Sequence, residues 1–154
     1  MCLHWGMAMA VYPFFTQVAE TIGRLLRLQD TLNLSQIQRR MKERFGERST
    51  TSRATQRIVR SLVDWGVLKD IGKRGNYEAR KPITVSDKSL ALWLLEASLY
   101  STSKDTGDLS TLQTMPALFS LESIPLNPGE LEDSRLEVVR HGLDRELVRL
   151  RDSG

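Results

Sequence analysis

Two amphipathic runs, each stopped by a glycine, are followed by a change of hydrophobic period, and that order limits the fold more than any other feature of the chain. In the first run Ile37, Met41 and Phe45 share one helical face, and Gly46 supplies the stop. Ser35, with Gln38 three residues later, reads as a capping box in which each side chain satisfies the other's free backbone N–H. A polar connection over 47–51 leads to the second run, from about Ser52 to Trp65, with Thr51 or Ser52 as its cap and Gly66 at its end. Beyond Gly66 the spacing shortens. Val67, Leu68 and Ile71 precede a glycine-bounded polar tip, GKRGN (72–76), and 77–85 reads as a return strand that Pro82 restricts to a sheet edge. Ahead of both runs, Pro13 opens a helical pattern carried by Phe14, Phe15, Val18, Ala19, Ile22, Leu25 and Leu26 as far as Gln29, which 30–33 interrupts.

The second run has two chemically distinct sides. At about 100° per residue, Ala54, Ile58, Leu62 and Trp65 fall on one side, to pack on the Ile37, Met41 and Phe45 face. Arg53, Gln56, Arg57, Arg60 and Asp64 fall on the other. A guanidinium presents a planar donor fork that matches guanine O6/N7 or a phosphate, and glutamine pairs in the same two-point way with adenine. Ser49, Thr50, Thr51 and Ser52 bring hydroxyls and backbone N–H groups to the positive end of the helix dipole, where a phosphate is held. Lys42 and Arg44 on the preceding helix, and Lys73 and Arg74 at the hairpin tip, flank the same face. Asp64 would repel phosphate, which places the expected contact toward the helix N-terminus. The plain alternative is a solvated charged face.

Charge distribution bears on that choice. Between residues 24 and 81 the chain has 15 Lys and Arg against 6 Asp and Glu; from 82 to 154 it has 7 against 12. The net charge of +3 therefore conceals a block of +9 beside one of −5, the pattern of a polyanion-binding face on one part of the molecule.

The stretch LSQIQRRMKERFGERSTTSRATQRIVRSLVDWGVLKDIGKRGNYEARKPI resembles a winged helix-turn-helix DNA-binding domain. The likeness lies in the capped helix, the short polar turn, a second helix with an aromatic-Gly-Val-Leu exit, and a basic wing. It covers about 34–85, with the helix over 14–29 as preceding scaffold, roughly half the chain. It implies that Ser52, Arg53, Gln56, Arg57 and Arg60 read DNA and that Lys73 and Arg74 are wing contacts. Some domains of this kind serve only as protein docking modules.

In the remainder, Ser86 is read as the cap of an apolar helix, LALWLLEASLY (90–100), that needs cover on most sides; a second chain, the N-terminal segment and the C-terminal residues are the candidates. Residues 101–129 read as loop-rich, with one helical candidate after Pro116. Leu136, Val139, Leu143, Leu147 and Leu150 favour a helix, although the same residues also read as two short strands around His141 and Gly142. The apolar opening over 3–15 is too short and too interrupted for a membrane span, with no basic segment before it as in a secretory signal; it reads as a buried helix. Its abrupt apolar start is also what a natural start further upstream would leave. A lone cysteine, Cys2, excludes an internal disulfide framework and suits a reducing, cytoplasmic compartment.

Enzyme chemistry finds little support. Cys2, His4 and His141 cannot build a metal cluster of usual spacing, and no G-x-S-x-G elbow occurs. Residues 66–74 have one residue too many between glycines for a phosphate loop and lack the following Ser or Thr, while GKRG falls in a hairpin rather than between the two helices of a KH domain.

The sequence thus leads to a mainly α chain with a small β-hairpin wing (α+β): a winged helix-turn-helix with its N-terminal helices over 1–85, and a mostly helical extension over 86–154 for dimerisation or partner binding. The expected function is double-stranded DNA binding by a homodimeric, cytoplasmic transcriptional regulator, with no catalytic residue, cofactor, metal or membrane. Its expected contact residues are Ser49, Thr51, Ser52, Arg53, Gln56, Arg57, Arg60, Lys73 and Arg74. The alternative is a winged-helix interaction subunit of a larger DNA-maintenance or phage-defence complex.

Overall fold

Helices and small β-sheets alternate along the chain, an α+β arrangement, in a computed structural model that describes residues 1–140 and 142–152. The chain forms two compact units, both discontinuous. One comprises Phe14–Ile83 and Pro116–Glu122; the other comprises Met1–Pro13, Thr84–Met115 and Ser123–Gly154. A single cut at residue 85, expected from the sequence, does not describe this division.

In the first, basic unit, the helix expected from Pro13 spans Pro13–Leu26 (α2), after a separate helix α1 (Cys2–Val11). Its apolar positions Phe15, Val18, Ala19, Ile22 and Leu25 are buried. A strand that the sequence does not signal, β1 (Thr31–Asn33), comes next, and its Asn33 is the cap of α3 (Leu34–Phe45), with Oδ1 accepting from Ser35 N–H at 2.9 Å. The expected Ser35–Gln38 capping box is therefore not made. Helix α4 spans Ser49–Asp64, three residues earlier than the sequence places it, with Arg48 at the N-cap position and no side-chain cap. Its buried residues are Thr51, Thr55, Val59 and Leu62, so the packed face is rotated from the expected Ala54, Ile58 and Trp65. The Thr55 hydroxyl donates to the Thr51 carbonyl at 2.8 Å, which lets this β-branched side chain enter the core as an apolar one would.

The hairpin pairs β2 (Leu68–Asp70) with β3 (Asn76–Ala79), and β1 adds to the far side of β3. The return strand is thus central in a three-stranded antiparallel sheet, and it ends before Pro82 rather than running to Val85. Phe14 lies against Phe45 with ring centroids 5.4 Å apart, and Phe15 against Trp65 at 6.1 Å, so the start of α2 meets the ends of both following helices. Pro116–Glu122 closes the unit against Gly23 of α2, where an added Cβ would lie 1.9 Å from the Pro116 carbonyl oxygen.

In the second unit, α1 packs on α5 (Lys88–Ser101), with Gly6 against the Trp93 indole. Asp87, not Ser86, caps α5, accepting from Leu90 N–H at 2.8 Å. The cover this apolar helix needs comes from its own chain: α1, the short helix α6 (Leu109–Gln113), and the last strand. The expected C-terminal helix is instead an antiparallel pair, β7 (Leu136–Arg140) and β8 (Glu146–Leu150), with β5 (Thr106–Asp108) on the outer side of β8. Leu136 and Val148 enter a core with Leu95, Leu99, Leu112 and Leu131, whereas Leu143 is fully exposed, which no amphipathic helix over this stretch allows. His141 lies outside the described residues. Two further short strands, β4 (Ile83–Val85) and β6 (Leu121–Ser123), pair with each other. Among the described residues no helix is long and apolar enough to cross a membrane.

Candidate nucleic-acid interface

The side chains expected to face a ligand sit on α4, on α3 and on the β2–β3 turn, all within the basic unit. Of the two on α3, Lys42 lies on the flank toward α4, whereas Arg44 lies on the side toward α2 and does not flank the α4 face. Gln38 joins the two helices. Its Nε2 donates to the Ser52 carbonyl in the first turn of α4 at 3.1 Å, which fixes where that turn begins relative to α3. Beside this bond, Ser35, Gln38, Arg39, Lys42, Glu43 and Glu47 line a hollow of about 350 Å³.

Along α4, Ser49, Arg53, Gln56, Arg57 and Arg60 are exposed and Ser52 is half-buried. Thr51 differs. It is buried, with its N–H bonded to the Arg48 carbonyl at 3.0 Å, so its hydroxyl belongs to the core and not to the exposed face. Arg60 also differs from its neighbours: Nε lies 3.4 Å from Asp64 and Nη1 3.8 Å from Asp70. These pairs are exposed and individually weak, but together they set two carboxylates at the C-terminal edge of the face. By contrast, Arg39, Arg48, Arg53 and Arg57 have no carboxylate partner among the described residues, nor do Lys42, Lys73 and Arg74. On this face the free positive charge lies at the N-terminal half of α4, where Arg48, Arg53 and Arg57 stand.

The hairpin tip carries Lys73 and Arg74 between Gly72 and Gly75, whose φ of +54° and +88° favours residues without a Cβ. The tip is braced rather than loose. Asn76 N–H donates to the Lys73 carbonyl at 3.2 Å, and Asn33 Nδ2 to Asn76 Oδ1 at 2.9 Å, which ties the turn to the residue that caps α3. Beneath it, burial raises the Tyr77 phenol above its ordinary pKa, the Asp70 carboxylate adds to this, and Arg60 and Arg74 oppose it. Tyr77 is a neutral prop for the wing at any physiological pH.

Arg39 and Arg48 are two further free cations beside this face that are not among the residues expected from the sequence. Arg48 falls outside a helix that starts at Ser52 but adjoins one that starts at Ser49. Arg39 is signalled by its spacing three residues ahead of Lys42, which puts both on one flank of α3. No group of three or more His, Cys, Asp or Glu suited to a metal occurs among the described residues. No protein family, curated protein or solved structure matches this chain.

Proposed function

We propose that this protein binds double-stranded DNA through a winged helix-turn-helix and acts as a cytoplasmic transcriptional regulator. The order α2, β1, α3, α4, β2, β3 supports the winged-helix reading, with α4 as the recognition helix and the β2–β3 turn as the wing. The observation that carries the function is the unpaired state of Arg53 and Arg57 beside exposed Gln56. Cations without carboxylate partners are ready to replace the counterions of a phosphate backbone, and the same side chains have donor geometry for base edges. Because Arg60 is engaged by Asp64 and Asp70, base reading falls to Ser52, Arg53, Gln56 and Arg57, with Ser49, Arg48 and Lys42 toward the backbone.

A homodimer belongs to the same reading, setting two recognition helices about 34 Å apart on a two-fold site. With α5 covered by its own chain, the remaining apolar edge is Leu3, Met7 and Val11 of α1, each more than half exposed. Sedimentation as a monomer at micromolar concentration and above would remove the dimer.

Selection of bound duplexes from a random pool tests the function. Enrichment of a defined motif is expected. Salt-sensitive binding with no enriched motif would reduce the reading to sequence-independent DNA binding, and no salt-dependent shift of any duplex would overturn it.

A further inference from the structure

A second basic surface lies between α2 and α3, distinct from the α4 face. Thr21, Arg24, Leu25 and Leu28 fall along one side of α2 and its exit, Arg40 and Arg44 along one side of α3, and together they line a groove of about 320 Å³. Arg40 is about 160° around α3 from Gln38, the residue that meets α4, so this groove faces away from the first turn of the recognition helix. Arg24 pairs with Glu20, whereas Arg40 and Arg44 have no carboxylate partner among the described residues. Glu43 also lines the groove, one carboxylate against three guanidiniums. What separates this surface from a phosphate-binding one is its apolar content. Leu25 is buried below, and Leu28 stands 81% exposed at the rim. A duplex backbone would pair with the arginines but has nothing to cover Leu28.

We propose that this groove docks an acidic peptide segment of a protein partner, with a leucine-sized side chain over Leu25 and Leu28 and carboxylates on Arg40 and Arg44. An apolar anchor gives the contact its energy and the flanking charge selects an acidic sequence. The inference does not depend on DNA binding by α4, and it gives the basic unit a partner-facing side as well as a nucleic-acid-facing one.

A short fluorescein-labelled peptide of mixed Glu, Asp and Leu, titrated with the full chain at ~0.1 M salt, tests it by polarisation. Saturable binding is expected, weakened about tenfold by Arg40→Ala with Arg44→Ala and by Leu28→Ser, and unchanged by Arg57→Ala. All these side chains are exposed, so coincident melting curves are expected and would separate lost docking from lost folding. Absence of saturable binding, indifference to the groove variants, or equal affinity for an all-glutamate peptide would overturn the proposal. So would loss of duplex DNA binding rather than peptide binding in the Arg40/Arg44 variant, which would assign the groove to nucleic acid.

Discussion

The side-chain amide of Gln38 donates to the main-chain carbonyl of Ser52 across 3.1 Å, joining the middle of α3 to the first turn of α4. This bond sits beside the residues proposed to read bases. Gln38→Ala is expected to cost about 1 kcal/mol of stability, read from the urea midpoint, and to lower affinity for a selected site more than for random duplex. An unchanged midpoint would show that the bond carries no weight.

Arg57 and Arg60 share a face but not a situation. Arg57→Ala should weaken binding to a selected site by about 1–3 kcal/mol and relax preference at one base pair. Arg60→Ala should cost less, because Asp64 and Asp70 already engage its guanidinium. Equal losses in a competition titration would mean that Arg60 leaves its carboxylates on binding.

At the wing, Lys73→Ala with Arg74→Ala should lower affinity on all sequences alike and reduce the salt slope by about 2, roughly one per lost phosphate contact. An unchanged slope would show that the turn does not touch DNA.

Gly23→Ala should be among the most damaging small substitutions in the chain. Its Cβ would fall 1.9 Å from a backbone oxygen, that of Pro116, which cannot rotate away as a side chain would. A loss at or above the usual overpacking range of about 1–3 kcal/mol is expected by chemical denaturation. A near-neutral result would place 116–122 elsewhere.

Asp108 caps α6, accepting from the Thr111 N–H and hydroxyl, and these bonds hold its carboxyl below the ordinary value. Because the folded pKa is the lower one, the cap's contribution is present above the unfolded pKa of about 4 and fades as pH falls through the folded value. Asp108→Asn should therefore flatten the acid limb of the stability curve while changing the neutral region little. An acid limb identical to that of the parent protein would count against this cap.

What was legible in the sequence follows from local chemistry. Gly46 and Gly66 mark the ends of α3 and α4, and the exposed set Arg53, Gln56 and Arg57 follows from helical spacing alone. The packed side of α4 was hidden because Thr51 and Thr55 look polar until the Thr55 hydroxyl is returned to its own helix. Asn33 is not legible as a cap because it also ends a strand whose partner, β3, lies more than 40 residues further on. At the C-terminus the spacing of four leucines and one valine is compatible with a helix, and only pairing of β8 with both β7 and the distant β5 decides against it. Nothing within 106–108 announces a strand, since its residues are Thr, Gly and Asp.

Pro116–Glu122 belongs to the same compact unit as Gly23, from which Pro116 is separated by 93 residues along the chain. Translation therefore delivers α2 long before the segment that fills its glycine notch. The three helices and the wing can assemble as they leave the ribosome, but the unit stays open on one side until about three quarters of the chain has been made. A nascent chain stalled near residue 85 would present the α2 notch to chaperones and proteases, and synthesis of the following 31 residues sets the time for which it does so.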